Sequence, residues 1–91
     1  MTHECYRFIV SGRVQGVYFR QSAAAQARQL GLAGWVYNRD DGAVEGLVAG
    51  AATALDAFKN WLQQGPPVAQ VDDLQWQVEA TPPAAGFEVR R

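Results

Sequence analysis

The side chains able to do chemistry are few in this chain of 91 residues, and they are unevenly placed. Arg20 ends a glycine-spaced run, Ser11-Gly12-Arg13-Val14-Gln15-Gly16-Val17-Tyr18-Phe19-Arg20, that joins an apolar strand-like stretch to an alanine-rich helix-like one. Asn38 closes a second apolar stretch, just before Arg39-Asp40-Asp41-Gly42. A loop that leaves a strand and enters a helix points several main-chain N–H groups into one concavity, where the helix N-terminus adds partial positive charge. Gly12 and Gly16 allow conformations closed to other residues and let the backbone approach a bound anion. Arg20 falls in the first helical turn, an unfavourable place for a cation unless an anion lies nearby. Its planar fork can then hold phosphate oxygens. Asn38 supplies one acceptor and two donors, and a sheet that sets the second strand's end beside the helix start brings them to the same place. Taken singly, the glycines also read as a tight turn and Asn38 as a turn residue before a hairpin. The two segments gain force together.

The rest of the chemical inventory is sparse. His3 is the only histidine, near the N-terminus, and reads as a solvated tail residue rather than a catalyst, which needs a fixed position. Cys5 is the only cysteine, so an internal disulfide and a thiolate metal cluster are both excluded, and a reducing compartment is the simple reading. Asp40-Asp41 and Asp72-Asp73 lack the ligand series of a calcium loop and read as solvated turn and strand-edge residues. Trp35, Trp61 and Trp76 read as core or sheet-covering residues. There is no cysteine–histidine nucleophile pair, no paired-carboxylate signature and no metal-ligand spacing, so no metal and no cofactor is expected.

A formal charge of −1 argues against a general binder of nucleic acid or of anionic membranes. With 48% hydrophobic and 19% charged residues, the chain has the composition of one globular domain, spanning residues 1–91. MTHECYRF lacks the apolar core and cleavage site of a signal peptide, and no apolar run reaches membrane-spanning length, so a cytoplasmic location is expected.

Elements must position these residues. Glu4 to Ser11 alternates Tyr6, Phe8 and Val10 against Cys5, Arg7 and Ile9, which predicts a strand mostly buried on both faces. Phe19 to Leu30 takes helical spacing, with Ala23, Ala27 and Leu30 inward and Gly31 as the stop. Leu32 to Asn38 and Ala43 to Ala49 predict strands around an Asp41-Gly42 hairpin. Gly50 to Thr53 lead into a helix whose inner face is Leu55, Phe58, Trp61 and Leu62, with Thr53 and Asp56 at capping-box spacing. Gly65-Pro66-Pro67 ends it; Leu74, Trp76 and Val78 then face inward from a fourth strand. Thr81-Pro82-Pro83 is a break before a short strand at Phe87 and Val89. The order βαββαβ, with a short terminal strand, predicts an α+β ferredoxin-like sandwich: an antiparallel sheet with both helices on one face. This topology hosts many functions and names none.

SGRVQGVYFR followed by GWVYNRDDG, one helix apart, resembles the acylphosphatase family. The resemblance continues through Gly42-Ala43-Val44-Glu45-Gly46, Trp61-Leu62-Gln63-Gln64-Gly65-Pro66, Ala69, Val71 and Phe87-Glu88-Val89, and so covers essentially the whole chain. Tyr37 departs from it, standing where a charged residue is frequent. The resemblance implies an enzyme that hydrolyses the carboxyl-phosphate bond of small acyl phosphates, releasing a carboxylate and inorganic phosphate, with phosphate also an inhibitor. It implies Arg20 as the phosphate-binding arginine and Asn38 as the residue orienting the attacking water. The main-chain N–H groups of Gln15, Gly16, Val17, Tyr18, Phe19 and Arg20 would form the cradle, in a monomer. Two rivals share the topology. An RNA-recognition module carries its glycine-aromatic octamer on the third strand, whereas AVEGLVA has no aromatic residue. A non-catalytic anion-binding module would keep the cradle without the chemistry.

Overall fold

The computed structural model describes residues 3–91. Along them run β1 (His3–Arg13), α1 (Phe19–Gln29), β2 (Ala33–Asn38), β3 (Val44–Ala51), α2 (Ala52–Gln64), β4 (Gln70–Val78) and β5 (Phe87–Val89). The sheet order is β4-β1-β3-β2-β5. All neighbours are antiparallel except β2 and β5, which are parallel. The ferredoxin-like α+β sandwich is as expected, but the sheet is mixed rather than antiparallel. β4 ends at one edge, and the Thr81-Pro82-Pro83 segment carries the chain to the opposite edge, where β5 must enter in the direction of β2.

Side chains alternate across the strands, so register decides which of them meet the helices. Tyr6, Phe8 and Val10 pair with Val48, Gly46 and Val44, which pair in turn with Gly34, Val36 and Asn38. This row faces α1 and α2. Phe8, Val10, Val36, Val44 and Val48 are sealed there against Phe19, Ala23, Ala24 and Ala27 of α1 and Leu55, Phe58 and Leu62 of α2. Phe58 is the aromatic hub: Phe8 and Phe87 meet it edge-on, and Trp61 stacks on it. Trp76 stacks on Tyr6 at 4.9 Å.

Several boundaries and faces differ from expectation. β1 is not sealed on both sides: Cys5 and Ile9 are half-buried and Arg7 is exposed, because α1 and α2 both pack on the Phe8 and Val10 face. His3 belongs to β1, opposite Ala51, although it is exposed. β3 runs through to Ala51, which is itself the N-cap of α2 without a side-chain bond, so Thr53 lies inside the first turn and no capping box forms. Val78, at the far end of edge strand β4, is 80% exposed and outside the core.

For function the useful consequence is directional. β1, β2 and β5 all point the same way, so Arg13, Asn38 and Val89 end at one edge of the sandwich, where α1 begins.

Candidate active site

The loop between β1 and α1 is held by its apolar members. Val14 and Phe19 are each 1% exposed, and Val17 packs against the core. With alternate residues pulled inward, Gly16 and Tyr18 are forced outward. Gly16 has φ +74°, a left-handed conformation that glycine adopts without steric cost. Tyr18 has φ 61° and ψ 27°, left-handed without being glycine, and its side chain is 76% exposed. Such a conformation costs on the order of 1–3 kcal/mol and persists where the surroundings over-determine it. Tyr18 is also the N-cap of α1 and, lacking a short side-chain acceptor, makes no capping bond. The first α1 bond runs from the Ser22 N–H to the Tyr18 carbonyl at 3.0 Å, so the preceding helical N–H groups have no intrahelical acceptor. Left-handed residues beside a helix start turn consecutive N–H groups toward one concave, anion-seeking surface.

Gly12 has a different task. It lies within β1, where the register to β4 shifts, and a Cβ there would strike the Gln70 carbonyl and the Asp72 main chain. It permits close strand approach and is no part of the cradle.

Val14, Gly16, Tyr18, Phe19, Arg20, Gln21 and Asn38 line one cavity of about 300 Å³. The Arg20 Nη1 donates to the Arg90 carbonyl at 2.7 Å. This bond braces the guanidinium from just beyond β5 and uses one of its N–H donors. Asn38 reaches the cavity because its register position, opposite Val44, puts it on the helix-facing side. Its Oδ1 is buried and has no hydrogen-bond partner among the described residues. Buried acceptors are nearly always satisfied, so an orphan lining a polar cavity marks a place for a bound donor.

The β2–β3 hairpin holds Asn38 from behind. The Arg39 N–H donates to the Ala43 carbonyl at 2.8 Å, and the Asp41 Oδ1 accepts from the Ala43 N–H at 3.1 Å. That N–H, followed by the Arg39 guanidinium, holds the Asp41 carboxyl below the usual carboxylate range. Asp41 is thus a turn residue, as the sequence suggested. On the uncovered sheet face Glu45, 2% exposed, accepts from the Arg7 guanidinium, from Arg39 Nη1 at 3.3 Å and from the Tyr37 hydroxyl at 3.0 Å. The last bond pushes the Tyr37 hydroxyl pKa up. Tyr37 therefore faces away from the cavity.

Of the expected site residues, the structure brings Gly16, Tyr18, Phe19, Arg20 and Asn38 together around the cavity. Gln15 and Val17 do not line it: Val17 anchors the loop, and the Gln15 side chain turns to the hairpin. Sequence reasoning missed the Arg90 carbonyl and the Gln21 lining; neither has a local signal, because both depend on which elements meet.

These features define a class, a small α+β protein with a partly polar cavity at a helix N-terminus. Comparison with known proteins narrows it. The acylphosphatase family model matches residues 6–89. The chain is 49% identical over 86 residues to a protein named acylphosphatase from Nitrosococcus oceani, covering 94% of this chain and 97% of that one. It superposes on an acylphosphatase structure from Coxiella burnetii with a TM-score of 0.93 and 38% identity, covering 97% of this chain and 93% of the other. For the acylphosphatase crystal structure from Bacillus subtilis the values are 0.91 and 38%, covering 99% and 100%. The chain belongs to the acylphosphatase family and is an enzyme of that family.

Proposed function

We propose that the protein hydrolyses small acyl phosphates by in-line attack of a water held by Asn38 on a phosphoryl group held by Arg20 and the loop N–H groups. The observation that carries this reading is the buried, unpartnered Asn38 Oδ1 on the same cavity as Arg20 and the start of α1. An acceptor there takes a hydrogen bond from the attacking water and aims the water's lone pair at phosphorus. The N–H groups of the Gly16 to Arg20 segment and the guanidinium neutralise the phosphoryl oxygens. The water oxygen bonds to phosphorus as the bond from phosphorus to the acyl oxygen breaks. The carboxylate leaves with the electron pair, and the water's proton ends on the phosphate released.

The leaving group explains how so few residues suffice. Its conjugate acid has a pKa of about 4, so no general acid is required to expel it. Phosphoryl transfer then rests on positioning and charge stabilisation. Inorganic phosphate, a product of the same shape and charge as the bound group, competes for the cradle.

The test is hydrolysis of a simple aryl acyl phosphate by the purified protein with a chelator present. Activity should be unchanged by the chelator and competitively inhibited by phosphate. Activity that vanished in chelator and returned with magnesium or zinc would overturn the mechanism.

A further inference from the structure

The Gln15 side chain lies outside the cavity, yet it is the most fully used carboxamide in the neighbourhood. Its Nε2 donates to the Arg39 carbonyl at 2.7 Å and to the Ala43 carbonyl at 3.0 Å. A carboxamide nitrogen carries two hydrogens, so both are engaged. The acceptors are not arbitrary: Arg39 and Ala43 close the β2–β3 hairpin, bonded to each other at 2.8 Å. Each is the chain neighbour of one member of the paired Asn38 and Val44. Gln15 itself sits between Val14, sealed in the core, and Gly16 on the cavity wall.

We propose that Gln15 is a positioning residue, its side chain clamping the phosphate cradle to the hairpin and so setting the distance from cradle to Asn38. This rests on the reading of Asn38 as the residue that orients water. In-line attack needs the two halves of the site, which are far apart in sequence, in fixed separation. A glutamine suits the task for steric and electrostatic reasons. Asparagine is one methylene shorter. Glutamate has no N–H to give and would set a charge against two carbonyl oxygens. Methionine keeps the length but has no N–H to give, leaving each carbonyl only its main-chain donor within the hairpin.

The experiment is a double-mutant cycle on the intact protein with an aryl acyl phosphate: wild type, Gln15→Met, Asn38→Ala and the pair. Gln15→Met should lower kcat about tenfold or more while the phosphate inhibition constant stays within about threefold, the signature of lost transition-state positioning. In the Asn38→Ala background the same change should cost less than about twofold, because residues acting through one another are not additive. Full additivity overturns the clamp, as does a phosphate affinity that falls in step with kcat, or a normal kcat in a variant that has only lost thermal stability. If Gln15→Met fails to fold, Gln15→Asn replaces it and is judged by the same criteria. A wild-type protein that did not hydrolyse the substrate would count against the functional reading instead. The clamp would then be read from the Asn38 side-chain NH2 resonances, which should shift in the Gln15 variant; unmoved resonances overturn it.

Discussion

Replacing Asn38 with alanine separates catalysis from stability, because the same side chain should act on them differently. The Asn38 Oδ1 is buried with no partner among the described residues. Alanine therefore breaks no protein hydrogen bond made by that oxygen. Against this stands the packing lost with a short, half-buried side chain at the end of β2. That loss is small, and unfolding free energy should fall by no more than about 1 kcal/mol. Main-chain pairing of this position with Val44 does not depend on the side chain. Catalysis should be far more sensitive. Removing one preorganised polar group that meets the transition state costs about 2.7–4 kcal/mol, or a factor of about a hundred to a thousand in kcat. Phosphate binding, which the proposal assigns to Arg20 and the loop, should remain near wild type. The assay is steady-state hydrolysis of an aryl acyl phosphate, with phosphate inhibition and urea unfolding measured on the same preparation. A folded variant whose kcat stayed within about tenfold of wild type would refute the role given to Asn38. So would a loss of phosphate affinity matching the loss of kcat.

Arg20→Lys keeps the charge but gives up the planar fork, including the 2.7 Å bond that braces Arg20 on the Arg90 carbonyl. It should weaken phosphate inhibition and lower kcat together, each by about tenfold or more, and near-normal phosphate inhibition would show that charge alone suffices. Glu45→Ala strips a buried carboxylate from Arg7, Arg39 and Tyr37. Because both arginines are partly exposed, the loss should fall below that of a fully buried pair, about 1–3 kcal/mol by urea unfolding, with no loss meaning that the ion pairs contribute nothing net.

The sequence alone determined the order of elements, since alternation and helical spacing are local and the Asp41-Gly42 turn and the proline breaks punctuate them. It also determined the loop ending in Arg20 and the strand ending in Asn38, whose types and spacing carried the family resemblance. Tertiary structure decided what those residues touch. Gln15 reads as one more cradle amide until its side chain is seen bonded to carbonyls 24 and 28 residues away. The brace on Arg20 spans 70 residues and accepts through a main-chain oxygen, which every residue type supplies and no pattern marks. Glu45 is the one charge in the apolar stretch Ala43-Val44-Glu45-Gly46-Leu47-Val48, which names no partner for it, and only the adjacency of β1, β3 and β2 surrounds it with Arg7, Arg39 and Tyr37. The left-handed Tyr18 follows from Val14, Val17 and Phe19 being drawn into a common core, a demand that no local propensity expresses. Periodicity records which face a residue prefers; which partner waits on that face is set by register and by the crossing of distant elements.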